Sequence, residues 1–246
     1  MATATQAALD QESLAYPKRT RHVLDLPYDI FYLIITFTWT DPSQDFPVAL
    51  SHICRLWRQY ALDTPGFWTS LRFKNSIPEI EKYHTWLERS KDSPFDLEIG
   101  WKPFTGASIK HVKAILRLIF PHVQRLRSLQ VSKVPSKIIT IIFDRLDNFH
   151  LMSLETLHVE WAWSIDRIMI NRKFKPFRHG DAANLKHVSL GWASYDYVIH
   201  RFRNLETLDI IHRSGNSSRD MAKAVHDILS LLPDLRILRI HIEYRR

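Results

Sequence analysis

The chain has 246 residues, of which 45 % are hydrophobic and 24 % are charged, and its formal net charge is +8. This balance is typical of a folded protein with one large domain or two small ones, and it excludes a disordered chain. The single cysteine, Cys54, excludes an internal disulfide and a RING-type zinc site. The longest near-apolar run, Ile30 to Trp39, is half of the ~20 residues that cross a bilayer, so no membrane partner is expected.

Residues 1–22 are predicted to form a flexible leader. The segment from Met1 to Ala15 has neither the basic start nor the apolar stretch of a secretion signal. Together with the single cysteine, this indicates a reducing compartment, the cytoplasm, the nucleus or both.

From Leu24 the sequence predicts helices. A first helix should follow Pro27 and end before the turn signal Asp41-Pro42-Ser43. Its apolar residues have the i, i+3, i+4, i+7 spacing of one helical face: Ile30, Leu33, Ile34 and Phe37. A second helix is predicted with a further set on one face: Leu50, Ile53, Cys54 and Trp57. The alternation over Phe67–Phe73 then predicts a strand.

Beyond residue 74, helical and strand patterns alternate. The pattern predicts a helix over 77–91, a strand over 94–99 and a helix that ends at Pro121. Five copies of Leu-x-x-apolar-x-apolar follow, and they begin at Leu126, Leu154, Leu185, Leu205 and Leu235. The last two apolar positions of each copy lie two apart, so we expect them on a short strand that points into the core. Helices over 138–149 and 221–232 should pack behind these strands.

Three segments together resemble a known domain. Leu26 to Ile34 is similar to the opening helix of F-box domains, which usually has the sequence L-P-x-E-I-x-x-x-I. Ile53 to Arg58 resembles their later V-C-R-x-W-R segment. Asp63 to Leu71 resembles the T-P-x-L-W-x-x-L extension common in fungal F-box-like proteins. The five copies farther along resemble an irregular leucine-rich repeat. We therefore expect a mixed α and β fold, with an all-α F-box over residues 23–73 and an α/β leucine-rich-repeat-like solenoid over 74–246.

The resemblance implies a substrate-recognition subunit of a Skp1–cullin–F-box ubiquitin ligase. The F-box would bind a Skp1-type adaptor, and through it a cullin, while the repeats would hold an unknown target protein. The implied adaptor-binding residues are Leu26, Pro27, Ile30, Ile34, Leu50, Ile53 and Trp57. Trp57 and Trp68 have a second interpretation, as anchors of the domain's own core. The chain would not be an enzyme and would need neither a cofactor nor a metal.

Other functions have weaker support in the sequence. Cys54 lies on an apolar helical face, which favours an inert thiol over a nucleophile. The 13 histidines, among them His84 four residues before Glu88, form no H-E-x-x-H motif. The stretch from Arg172 to Arg178 interleaves cations with aromatic residues, as some nucleic-acid surfaces do. It falls in a long gap between two predicted strands, which favours a solvated loop. The main alternative is a basic repeat scaffold acting outside a ligase, bound to nucleic acid or to an acidic partner.

Overall fold

The computed structural model describes residues 26–38, 45–75, 77–100, 108–161, 176–177, 182–191, 195–214 and 218–244. The chain divides into two compact units: an N-terminal unit, Met1–Tyr60, and a sheet unit, Ala61–Arg246. The predicted leader over residues 1–22 lies outside the described residues, as does most of the basic stretch from Arg172 to Arg178. Within the described ranges, no helix is long and apolar enough to span a membrane.

Three short helices follow one another at the start of the described chain: α1 (Tyr28–Thr38), α2 (Phe46–Ser51) and α3 (Arg55–Asp63). α1 begins directly after Pro27, whose carbonyl accepts the Phe31 N–H at 3.0 Å, so the predicted start is confirmed. The sequence predicted one second helix that contains Leu50 and Trp57. This prediction is wrong, because the chain forms two helices here, α2 and α3, with a break at residues 52–54. The N–H groups of His52 and Ile53 bond carbonyls three residues back, at 3.1 and 3.3 Å, which closes α2 as a tight turn. Helical spacing alone does not register such a break.

The sheet unit contains seven strands: β1 (Ser70–Phe73), β2 (Phe95–Gly100), β3 (Leu126–Val134), β4 (Thr156–Trp161), β5 (His187–Gly191), β6 (Thr207–Ser214) and β7 (Ile237–Tyr244). All neighbouring pairs are parallel. The strands lie side by side in chain order, from β1 at one edge to β7 at the other. Each connection therefore returns the chain to the same end of the sheet before the next strand begins.

Helices occupy several of these connections: α4 (Ile80–Arg89), α5 (Ile109–Ile119), α6 (Ser136–Leu146), α7 (Tyr195–Arg201) and α8 (Ser218–Leu231). Two 3₁₀ helices precede β1 and β3, namely Pro65–Trp68 and Phe120–Arg125. Contacts join α6 to β3, and the ring centroid of Tyr83 in α4 lies 4.6 Å from that of Phe73 in β1. Alternate residues of each strand form a row that faces inward. In β3 to β6 that row is almost fully buried, with 0 to 1 % of each side chain exposed: Leu129, Leu157, Val188 and Leu208.

The predicted fold class is wrong. The chain is a mixed α/β protein in which a single seven-stranded, all-parallel sheet is interleaved with helices, and not an all-α F-box followed by a solenoid. The first strand, β1, lies inside the segment assigned to the all-α domain, and β2 lies ahead of the five copies of the motif. Local alternation predicted both strands, but it does not specify which sheet a strand joins. Hydrogen bonding between distant segments makes that choice.

The glycine at the end of β2 allows a close approach between strands. Gly100 pairs with Ser132 of β3, and a Cβ atom at Gly100 would lie 2.9 Å from Ser132 Oγ and 3.1 Å from its carbonyl oxygen. We expect Gly100→Ala to lower the free energy of unfolding by about 1–3 kcal/mol through overpacking. Urea denaturation measures this change.

The matched control is Gly66→Ala, because a Cβ atom there would meet nothing within 4 Å. Its free energy of unfolding should change by less than about 1 kcal/mol. Equal denaturation midpoints for the two variants would contradict the close approach of β2 and β3.

Candidate functional site

One side of α1 presents apolar side chains to solvent. The four residues at the predicted helical spacing are 44 to 81 % exposed: Ile30, Leu33, Ile34 and Phe37. We call this set the α1 outer face. Contiguous exposed apolar surface of this kind marks a site of interaction more often than a solvated surface.

The opposite side of α1 already fills the interior of the N-terminal unit. Phe31 is 2 % exposed and Ile35 is 5 % exposed. The Phe31 ring packs edge-on against Trp57 at 5.1 Å and lies 4.9 Å from the ring of Tyr60. α1 is therefore apolar on two sides, which is the pattern of a helix that is covered on both. Only one of these sides is covered within the described residues.

The predicted adaptor-binding residues fall into two groups. Ile30, Ile34 and Pro27 are exposed, and Ile53 is 60 % exposed in the break between α2 and α3. Leu26 is half-buried.

Leu50 and Trp57 point toward the interior of the N-terminal unit. Leu50 is 1 % exposed, and Trp57 is half-buried against Phe31. Two members of the α1 outer face, Leu33 and Phe37, were absent from the predicted set, although their helical spacing was the signal that identifies them.

The sheet has a polar face opposite the core. Alternate residues along each strand point away from the buried row, and in β1 to β3 they line a shallow depression of about 160 Å³. Ion pairs cross this face between strands. Lys74 Nζ lies 2.9 Å from a Glu98 carboxylate oxygen, and Arg127 makes two hydrogen bonds to Asp96, at 3.0 and 2.7 Å. The hydrogen bonds to Asp96 raise the pKa of the Arg127 guanidinium.

A row of charges that alternate in sign runs along the ends of the strands. Its members, which we call the charge ladder, are Arg127, Glu155, Lys186, Glu206 and Arg236. Each backbone N–H from Glu155 onward donates to the carbonyl of the preceding member, at 2.8 to 2.9 Å. Residues of opposite charge are therefore neighbours at the starts of adjacent strands throughout the row. The sequence contains the alternation, since each charged residue directly follows the first leucine of a motif copy. It could not be recognised as a row of neighbouring charges without the order of the strands.

The described residues do not form a metal centre. No group of three or more His, Cys, Asp or Glu side chains in these ranges could hold a metal ion. His84 Nδ1 lies 3.7 Å from a Glu88 oxygen as an exposed pair. Cys54 is half-buried, and its sulfur accepts a hydrogen bond from the backbone N–H of Trp57 at 3.5 Å.

Comparison of this chain with models of known protein families and with curated proteins finds no match. The F-box resemblance therefore depends on the three motif segments between Leu26 and Leu71 and stays a prediction. The geometry that bears on function consists of two surfaces, the α1 outer face and the strand ends of the sheet unit.

Proposed function

We propose that the chain is a non-catalytic substrate-recognition subunit of a Skp1–cullin–F-box ubiquitin ligase. In this proposal the α1 outer face binds a Skp1-type adaptor, and the sheet unit holds a target protein. The observation that supports it most is the exposure of Ile30, Leu33, Ile34 and Phe37, because these residues lie within or beside the segment that resembles an F-box opening.

The α1 outer face has the chemistry that such a contact needs. Burial of each of its half-exposed aliphatic side chains contributes about 1 kcal/mol or more. A micromolar complex has a binding free energy of about 8 kcal/mol, so three such side chains together with the Phe37 ring supply a large share of it. Ile53, which is 60 % exposed, adds a further apolar contact. Leu50 is 1 % exposed and is assigned to the interior of its own unit.

The proposal gives the chain a positioning role only. The adaptor connects it to a cullin and a RING subunit, which supply the transfer chemistry, and the chain keeps a target within reach. Such a role requires binding surfaces but no catalytic group, no cofactor and no metal. It places the protein in the cytoplasm, the nucleus or both.

The test is binding of the full chain to a purified Skp1-type adaptor. We expect a one-to-one complex in size-exclusion chromatography with light scattering, and a micromolar or tighter Kd in titration calorimetry. The complex should then recruit the adaptor-binding domain of a cullin. Because the contact is apolar, its affinity should change little with salt.

A different result would favour the basic scaffold. If the full chain binds no Skp1-type adaptor but binds RNA or DNA with an affinity that falls steeply with salt, the ligase proposal fails. The net charge of +8 makes that control necessary.

A further inference from the structure

The last strand of the sheet has an open edge. β7 pairs with β6 from Thr207↔Ile237 to Ser214↔Tyr244, and it stands last in the strand order. None of the strands in the described ranges pairs with its other side. The unpaired N–H and C=O groups of such an edge can accept a further strand.

The apolar layer beneath the sheet is also incomplete at β7. Leu208 and Ile210 of β6 are 0 and 4 % exposed, whereas their partners in β7, Leu238 and Ile240, are only half-buried. The first strand differs, since the two apolar residues of β1 are almost fully buried, with 0 and 1 % exposed: Leu71 and Phe73. Among the described residues, the apolar layer is therefore covered at β1 and only partly covered at β7.

The charges at the starts of the strands indicate which kind of residue an added strand would place beside Arg236. Arg127 lies between Asp96 of β2 and Glu155. Lys186, the next cation of the charge ladder, lies between Glu155 and Glu206. Arg236 is exposed and has an acidic neighbour, Glu206, on the β6 side. An acidic residue on the other side would continue the alternation of charge.

We propose that the edge of β7 binds an extended acidic segment of a partner protein, which adds to the sheet as a further parallel strand. Its acidic residue would lie beside Arg236, and two apolar residues, spaced as in the chain's own strands, would cover Leu238 and Ile240.

The chain contains a precedent for this contact. Arg127 at the start of β3 corresponds to Arg236 just before β7, and Glu155 just before β4 donates its N–H to the Arg127 carbonyl at 2.8 Å. The partner segment thus resembles β4 in pattern, Leu-Glu-x-Leu-x-Val. A second copy of this chain fits less well, because two edges related by a twofold axis pair antiparallel. That arrangement places the two Arg236 residues at opposite ends and does not continue the charge ladder.

The inference depends on the sheet unit alone, so it does not require the α1 outer face to bind an adaptor. The probe is a fluorescent peptide with the sequence of residues 153–161, which contains Glu155, titrated with the full chain in an anisotropy assay. We expect saturable binding. A peptide with the change Glu155→Lys should bind about 3- to 30-fold more weakly, as expected when an attractive cross-strand pair becomes repulsive.

The chain variant Arg236→Glu should reverse this preference, so that it binds the Glu155→Lys peptide more tightly than the unchanged peptide. Recovery of binding by the reversed pair also shows that the variant is folded. The control is Lys137→Glu, which makes the same change in net charge at an exposed position on α6 and should leave both affinities unchanged.

Three results would overturn the proposal. One is the same affinity for a scrambled peptide of equal composition, which would indicate non-specific attraction to a basic protein. Another is an affinity that does not depend on the Arg236 and Glu155 charges. The third is a dimer of the chain, seen by sedimentation, that Arg236→Glu dissociates, because the occupant of the edge would then be a second copy.

Discussion

Ile34→Asp is expected to weaken binding of the Skp1-type adaptor by about 100-fold or more, a loss of about 2.7 kcal/mol in binding free energy. Ile34 lies in the middle of the α1 outer face, so in the proposed complex the new carboxylate would be buried without a partner. Phe37→Asp should have a similar effect, since Phe37 is the most exposed member of the face, at 81 %. Titration calorimetry with the purified adaptor measures both changes.

Tyr32→Asp is the matched control. Tyr32 is 39 % exposed and Ile34 is 44 % exposed, but residues two apart on a helix point about 200° apart, so Tyr32 lies off the α1 outer face. Its effect on adaptor affinity should stay within about threefold, which is under 1 kcal/mol. Neither change should lower the free energy of unfolding by more than about 1 kcal/mol, since both side chains are well exposed. Equal losses of affinity in the two variants would contradict the assignment of the face.

The sequence predicted α1 and grouped the four residues of its outer face, but it could not identify which side of the helix is buried. Periodicity grouped Ile30, Leu33, Ile34 and Phe37, and such a stripe normally faces a protein's own core. In the structure that role belongs to Phe31 and Ile35, which are 2 and 5 % exposed, and Phe31 contacts the aromatic rings of Trp57 and Tyr60 in α3. Which of two apolar sides is covered depends on where other helices pack, and a single helix does not encode this.

The sheet also separates what a local pattern predicts from what depends on contacts between segments far apart in sequence. The five motif copies predicted strands and inward-facing residues; β3 to β7 confirm the strands, and the predicted inward residues are buried in β3 to β6. The predicted fold class was wrong because β1 and β2, which lie outside the motif, join the same parallel sheet. The charge ladder was missed for a related reason. Arg127 and Glu155 are 28 positions apart in sequence, and their opposite charges become neighbours only because β3 pairs with β4.

The two proposed binding surfaces belong to different units and have different chemistry. The α1 outer face is apolar and should bind with little dependence on salt, whereas the β7 edge combines an apolar layer with the exposed cation Arg236. Failure of adaptor binding would therefore leave the β7 proposal intact, and failure of peptide binding would leave the adaptor proposal intact. A recognition subunit needs two such separable contacts, one for the ligase and one for the target.

Trp68→Ala is expected to lower the free energy of unfolding by about 3–5 kcal/mol, among the largest effects of any single substitution in this chain. The sequence left open whether Trp68 anchors a core or contacts an adaptor, and its 0 % exposure assigns it to the core. The indole N–H donates to the Ala61 carbonyl at 2.8 Å, and the ring packs edge-on against Trp86 at 5.5 Å. The Arg89 guanidinium lies 4.4 Å from the ring centroid. Urea denaturation followed by circular dichroism measures the loss.

Trp68→Phe separates the hydrogen bond from the packing. Phenylalanine keeps an aromatic ring against Trp86 but leaves the Ala61 carbonyl without its indole donor, so we expect a loss of about 1–3 kcal/mol. Trp57→Phe is the comparison, because Trp57 is only half-buried and its contact with Phe31 is one of ring against ring. Its cost should stay below about 1.5 kcal/mol, as for a volume-conserving apolar replacement. If the two tryptophan-to-phenylalanine variants have the same denaturation midpoint, the hydrogen bond from Trp68 to Ala61 contributes nothing and Trp68 acts through its volume alone.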